Sequence, residues 1–311
     1  MRLKKFAKPK KGRGLGYMGA KRLISWAIGE EIEFQVPDFG IFVDAFGGGG
    51  SMSCEFLMRG KKVIYNDLDG DIYDIFRFVM ETKFEPRFYN ELLISSADFK
   101  KILKKERRTV VDNLKLLINS FGNRSTAYLY SEENEAFKYL LAKKLLKSDA
   151  LAFKNYRRNP IFISEISALS SSVEKSRLQQ IERLQQLQQL QQLQPPKLTF
   201  YNLDYKTLIK CQRNPNAVLY CDIPYENTAK YKIDEFDHKK FFDFLSREAK
   251  YFKAVFISSY QISDERFRLV KEFKKKSTLS GGTSSNGETE KIYTLKDFEL
   301  SRQMDIFDYI N

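Results

Sequence analysis

A short apolar segment that runs into four consecutive glycines and then into a helical pattern is the strongest constraint on how this chain folds. Ile41 to Phe46 reads as a strand, bounded by Gly40 before it and by Gly47-Gly48-Gly49-Gly50 after it. A helix is predicted from about Ser51 to Arg59, stopped by Gly60, and Lys62 to Asn66 reads as a second strand. A second helix follows from Gly70 to about Glu81. Strand, glycine loop, helix, strand is the opening of a parallel, doubly wound α/β sheet.

The pattern then changes. From about 81 to 196 strand signals fade, and helical stretches rich in lysine and aromatics take over, among them Ala136 to Lys147. Strand-like runs resume at Leu198–Asn202, Ala217–Cys221 and Ala254–Ser258, and again near Lys291–Leu295 after the turn-rich Ser280–Gly287. The expected organisation is therefore an α/β domain made of residues 1–80 and 197–311, with a mainly helical module inserted at 81–196. Within the module, at 178–194, Leu178, Ile181, Leu184, Leu187, Leu190 and Leu193 recur every third residue, mostly separated by pairs of glutamine, until Pro195-Pro196. Each step of three turns about 300° on an α-helix, so the apolar stripe winds around the axis and forms neither a coiled-coil seam nor a fixed face. This predicts an expandable spacer or a loosely packed helical finger.

Fifty-three basic and 40 acidic residues leave a formal charge of +13, which favours polyanionic partners. The first 29 residues hold no acid but carry Arg2, Lys4, Lys5, Lys8, Lys10, Lys11, Arg13, Lys21 and Arg22. Two further clusters are Lys100, Lys101, Lys104, Lys105, Arg107, Arg108 and Lys143, Lys144, Lys147, Lys154, Arg157, Arg158. Solvated helix faces explain any one cluster equally well. Cys54, Cys211 and Cys221 form no CxxC pair, and His238 is the single histidine. No metal is expected, and carboxylates, aromatics and backbone are left to carry the chemistry. No apolar run is long enough to span a bilayer, and no secretory signal is legible at the N-terminus, so a soluble, cytoplasmic protein is expected.

Three places carry chemistry. The glycine loop would bring backbone close to a ligand at a helix N-terminus, yet it lacks the dinucleotide fingerprint: Met52 and Ser53 stand where a small third residue is needed. The second strand ends at Asp67, twenty residues after Gly47, where an acid can accept both hydroxyls of a ribose. A helix N-cap would explain the same residue from local sequence. The third place is Asp222-Ile223-Pro224-Tyr225, at the end of the apolar run Ala217–Cys221. There Asp222 and the Ile223 carbonyl can each accept one hydrogen of an exocyclic amine, Pro224 holds the turn, and Tyr225 can stack on the ring. Alone, it would read as an ordinary strand-ending proline turn.

In order and spacing, these segments resemble the Dam-like, phage-type DNA adenine methyltransferases with an Asp-Pro-Pro-Tyr signature. Tyr17-Met18-Gly19-Ala20-Lys21-Arg22 is similar to the family's N-terminal cofactor motif, Phe42–Ser51 to its glycine loop, and Asn66-Asp67-Leu68-Asp69 to its ribose-binding motif. Asn202-Leu203-Asp204-Tyr205 falls where the family places an Asp-aromatic pair beside the cofactor adenine. The resemblance implies a Rossmann-like, S-adenosylmethionine-dependent methyltransferase sheet with an inserted helical target-recognition module. It implies transfer of a methyl group to adenine N6 in double-stranded DNA at a specific site, as in DNA modification or restriction-modification. A cognate restriction endonuclease is a candidate partner. It assigns Tyr17, Lys21, Asp44, Phe46, Gly47, Gly49, Asp67, Asp204 and Asp222 to S-adenosylmethionine, and Asp222, Ile223, Pro224 and Tyr225 to catalysis. The chain departs from the pattern at Ile223, where the family usually has proline, and at Ala20, where it commonly has Gly or Ser. Cytosine N4 or RNA methylation, or a catalytically weak DNA-binding relative, are the alternative readings.

Overall fold

The protein is described here from a computed structural model covering residues 12–17, 19–123, 125–148, 152–167, 177–193, 197–225, 236–274 and 289–298. The basic residues before position 12, Met18, Pro195-Pro196 and the 280–287 turn lie outside the described residues. The strands are β1 (Ile41–Asp44), β2 (Lys62–Asn66), β3 (Leu198–Tyr201), β4 (Asn214–Asp222), β5 (Phe252–Ser259), β6 (Phe267–Lys274) and β7 (Thr289–Leu295). The helices are α1 (Ser25–Gln35), α2 (Ser51–Met58), α3 (Gly70–Glu81), α4 (Pro86–Leu92), α5 (Ser96–Leu103), α6 (Val110–Asn119), α7 (Glu132–Ser148), α8 (Pro160–Ser167), α9 (Gln179–Gln191), α10 (Tyr205–Cys211) and α11 (His238–Glu248). None of these helices is long and apolar enough to cross a membrane.

The seven strands form one sheet in the order β3-β2-β1-β4-β5-β7-β6. The first five run parallel, and β7 lies antiparallel between β5 and β6. Buried on both faces, the central strands are apolar throughout rather than alternating. Their side chains sort by period two into two layers. Val43, Leu219, Cys221, Val255 and Ile257 pack with Leu208 and Ile209 of α10 and with Phe241, Phe242 and Leu245 of α11. On the other face Phe42, Val218, Tyr220, Ala254 and Phe256 pack with Ile28 and Ile32 of α1 and with Met52 and Phe56 of α2.

Strand β6 has no clean alternation in sequence, and the structure supplies the reason. A register shift between Leu269 and Lys271 opposes extra chain to β7. As a result Phe267 joins the first layer and Phe273 the second, although even spacing would put them on one face. Its charged residues suit an edge strand.

The chain divides into two compact units. The sheet unit takes the described residues of Met1–Arg13, Lys21–Tyr73 and Pro195–Asn311, and the helical unit takes Gly14–Ala20 and Asp74–Gln194. In the helical unit a capping box, Thr109 with Asp112, starts α6. At the other end of α6, Arg183 donates to the carbonyls of Ile118 and Ser120, a cation placed where a helix leaves carbonyls unpaired.

The Leu-Gln repeat corrects the expectation of a spacer or loose finger. It forms α9, and Leu178, Ile181, Leu184, Leu187 and Leu190 are all buried. A stripe that winds around a helix can be buried only if neighbours stand on several sides, and α9 packs against α6, α7 and the 152–158 turn. The glutamines take part. Gln180, fully buried, donates to Asn119 Oδ1, while Gln191 accepts from the Phe84 amide and donates to the Val79 carbonyl. Truncating a large buried side chain costs about 2–5 kcal/mol, so Leu184→Ala should lower stability by that order in denaturant unfolding. A mutant with wild-type stability would mean that α9 is not part of a packed core.

Candidate active site

Chain direction across the sheet reverses between β1 and β4: β2 and β3 continue to one side, β5 to the other. In open α/β sheets a crevice forms outside the carboxyl ends of the strands at this switch point, and ligands bind there. Asp44 at the end of β1 pairs with Tyr65 of β2 and Tyr220 of β4. Asp222 follows Tyr220 by two residues, so the glycine loop and the Asp222 turn leave the sheet side by side.

The glycine loop is held by backbone and by the Tyr65 side chain of β2. The Gly47 amide donates to the Asn66 carbonyl at 2.7 Å, and Tyr65 Oη donates to the Gly48 carbonyl at 2.8 Å. A Cβ at Gly47 would lie 2.2 Å from the Tyr65 ring, which explains that glycine. Gly50, with φ of 71°, turns the chain into α2. Asn66 is buried and bonds both the Ala45 carbonyl and the Leu203 carbonyl, tying the ends of β1 and β2 to the loop after β3.

Asp67 is not a helix cap. Its Oδ2 accepts the Gly48 amide at 2.7 Å and its Oδ1 the Asp69 amide at 2.8 Å, while Asp69 itself receives the Asp71 amide at the start of α3. Asp67 thus joins the tip of β2 to the glycine loop. Burial pushes its pKa up to about 6, against the opposing effect of those two amides. Asp44, buried, accepts Ser53 Oγ at 2.6 Å and the Ser53 amide at 3.1 Å, and burial raises its pKa to about 7 despite them. Asp204 is exposed and caps α10 by accepting the Lys206 amide. Phe46 stacks on Tyr205, ring centres 5.7 Å apart, with Phe236 edge-on to Phe46.

The Asp222 turn sits in a network of charges and phenols. Lys21, 2% exposed, places Nζ 2.7 Å from Asp222 Oδ1, 2.6 Å from Tyr225 Oη and 3.3 Å from Glu290 Oε2. Burial alone would lower the lysine pKa, but Asp222 and Glu290 outweigh it and hold the ammonium above its ordinary range. Tyr225 Oη donates to Glu290 Oε2 at 2.9 Å, and its ring stacks on Tyr260 at 3.9 Å between centres. Burial, with Asp222 and Glu290 nearby, raises the Tyr225 pKa and keeps the phenol neutral.

Ile223 has its side chain in the first core layer at 2% exposure, so burial anchors the turn where a proline ring would stiffen it. The Pro224 carbonyl bonds His238 Nε2 at 2.8 Å, which tethers the turn to the start of α11.

The structure therefore brings together Lys21, Asp44, Phe46, Gly47, Gly49, Asp67, Asp204 and Asp222–Tyr225 at the carboxyl edge of the sheet unit. Tyr17 falls in the 14–20 segment of the helical unit. Glu290, Ser258, Tyr260 and His238 were not singled out by sequence. One signal was available for the first: Glu290 stands in phase with the buried Ile292 and Thr294 along β7, an acid on an interior face.

Comparison with known protein families matches residues 17–284 to the D12 class N6 adenine-specific DNA methyltransferases. The chain belongs to this family. It is an enzyme of adenine N6 methylation in DNA, and the family's chemistry implies S-adenosylmethionine as methyl donor. Comparison with curated proteins returned no significant match.

The pKa of Asp44 has a consequence for stability. It rises from 3.8 to about 7 on folding, so the folded state holds a proton that the unfolded state releases between those values. Stability should therefore fall as pH rises through that window. Asp44→Asn should flatten the decline, measured as denaturation midpoints at about pH 5 and about pH 8. An unchanged slope would assign the decline to other groups.

Proposed function

We propose that this chain methylates adenine at a defined site in double-stranded DNA, with the Asp222–Tyr225 turn holding the target base beside the glycine loop. The observation that carries the reading is the convergence of Asp222, Asp67 and the glycine loop at the sheet's switch point. The residues present fit a cationic cofactor. Gly47 has no room for a side chain, and three carboxylates, Asp44, Asp67 and Asp222, surround the loop.

S-adenosylmethionine, when bound, supplies a methyl group on positively charged sulfur. Gly47, Gly49, Asp44, Phe46, Asp67 and Asp204 would hold it, with Asp67 accepting ribose hydroxyls. Asp222 and the Ile223 carbonyl accept the two hydrogens of the adenine amino group and orient its lone pair. A carboxylate oxygen takes more than one donor, so Asp222 can keep Lys21 while it binds the amine. Positive charge grows on the amino nitrogen during transfer, and acceptors already in place stabilise it without reorganising. Tyr225 offers a ring on which the flipped base stacks, after unstacking from the duplex at about a few kcal/mol.

Asp222→Ala should reduce methyl transfer by about 10²-fold or more while cofactor binding persists. Sequencing of methylated adenines in DNA from cells expressing each form would report base and site together. Transfer at wild-type rate by the mutant removes Asp222 from the chemistry.

The exposed Lys100, Lys104, Arg107 and Arg108 of the helical unit would hold DNA phosphates. Replacing one such residue by alanine should weaken binding evenly across sequences and lower the slope of log affinity against log salt by about 1. Fluorescence anisotropy over a salt series measures this, and unchanged slopes for all four exclude the surface.

A further inference from the structure

Glu290 lies beyond residue 284, the last residue matched to the family, yet it is fully buried against the Asp222 turn. Its Oε1 accepts Ser258 Oγ at 2.7 Å, and its Oε2 accepts Tyr225 Oη at 2.9 Å and stands 3.3 Å from Lys21 Nζ. A carboxylate in the interior is strongly unfavourable unless it is paired and hydrogen-bonded, and this one is both. Lys21, Tyr225 and Glu290 close a triangle: the ammonium donates to the phenol oxygen, the phenol donates to the carboxylate, and the carboxylate pairs with the ammonium.

The Lys21 ammonium donates one hydrogen to Asp222 and one to Tyr225, and its charge is paired with Glu290 as well. Lys21 so placed fixes Asp222 Oδ1 from one side and the Tyr225 hydroxyl from the other. We propose that Glu290 is a positioning residue for methyl transfer, acting through Lys21 and Tyr225 to hold Asp222 and the stacking ring in one mutual orientation. The inference rests on the assignment of Asp222 and Tyr225 to the target base.

The groups that face this cluster are Asp222 and Tyr220 from β4, Tyr225 from the turn, Glu290 from β7 and Tyr260 after β5. Of these, Asp222 and Glu290 are the carboxylates that keep Lys21 charged against its burial. With Glu290 neutralised, burial weighs more heavily and Lys21 loses its proton at lower pH. Asp222 would then lose its ammonium partner on the alkaline side.

Glu290→Gln separates positioning from simple packing, because glutamine keeps the shape and can still accept from Ser258. Single-turnover transfer of labelled methyl groups into DNA should fall about tenfold to a hundredfold, the scale expected when reacting groups are slightly misplaced. Cofactor affinity and melting temperature should stay close to wild type, and the alkaline limb of the pH–rate profile should move to lower pH. Wild-type rate and profile in Glu290→Gln would overturn the proposal. So would a loss of activity that merely tracks a loss of folded protein with the profile unmoved. If Glu290→Gln does not fold, Ser258→Ala frees one carboxylate oxygen and should give a smaller rate loss at unchanged cofactor affinity; no rate change there also overturns it. Asp222→Ala in the same assay keeps the two ideas apart. Activity in that variant defeats the reading of the turn, whereas an inactive Asp222→Ala beside a fully active Glu290→Gln defeats the role of Glu290 alone.

Discussion

Four paired residues at the middle of the sheet, Ile41 with Ala217, Phe42 with Val218, Val43 with Leu219 and Asp44 with Tyr220, govern the rest of the sheet unit. They join segments more than 170 positions apart in sequence. A slip of one residue would exchange the two faces of β4, sending Tyr220 toward α11 and Leu219 toward α2. The packing forbids it. Phe42 stacks on Phe56 at 3.8 Å between ring centres and also packs on Tyr220, so one layer fits only in this register. With the register set, the glycine loop and the Asp222 turn have no choice but to emerge as neighbours.

That neighbourhood is costly in electrostatic terms. Among the described residues, Asp44, Asp67, Asp222 and Glu290 are gathered with one ammonium, Lys21, and burial raises the pKa of Asp44 and Asp67 toward neutrality. A cation entering such a site stabilises the ionised form of each acid, so binding and ionisation reinforce one another. The same arrangement would resist an anion of similar size. On charge alone, the distribution of carboxylates favours a cation over an anion before any shape complementarity is considered.

Much of this was legible in the linear chain. Apolar runs without alternation marked β1, β4 and β5, because strands covered on both faces need them. The four glycines, Asp67 and the Asp222 turn were visible because each is a local pattern of residue types. Other features depend on distant partners that no local pattern names. The bulge in β6 erased its period, and Asp67 showed nothing to separate a helix cap from a bond to Gly48. Glu290 is one acid among several near Lys291; its phase with Ile292 and Thr294 marks an interior face, but its partner Ser258 becomes apparent only when β7 pairs with β5. Ile223 stands out only as a departure from the family pattern because the sequence shows the missing proline ring but not the core that receives the isoleucine side chain.

The enclosure of α9 changes the meaning of its repeat. A tract of Leu-Gln-Gln triplets invites gain or loss of units, and on an exposed helix such changes would be nearly silent. Here one added triplet would lengthen the helix by about 4.5 Å and rotate every residue beyond the insertion by about 300°. Gln191 could no longer meet both Val79 and Phe84, and the later leucines would face different neighbours. The repetitive text is thus read by the fold as a fixed length, a ruler whose number of units matters as much as their spelling.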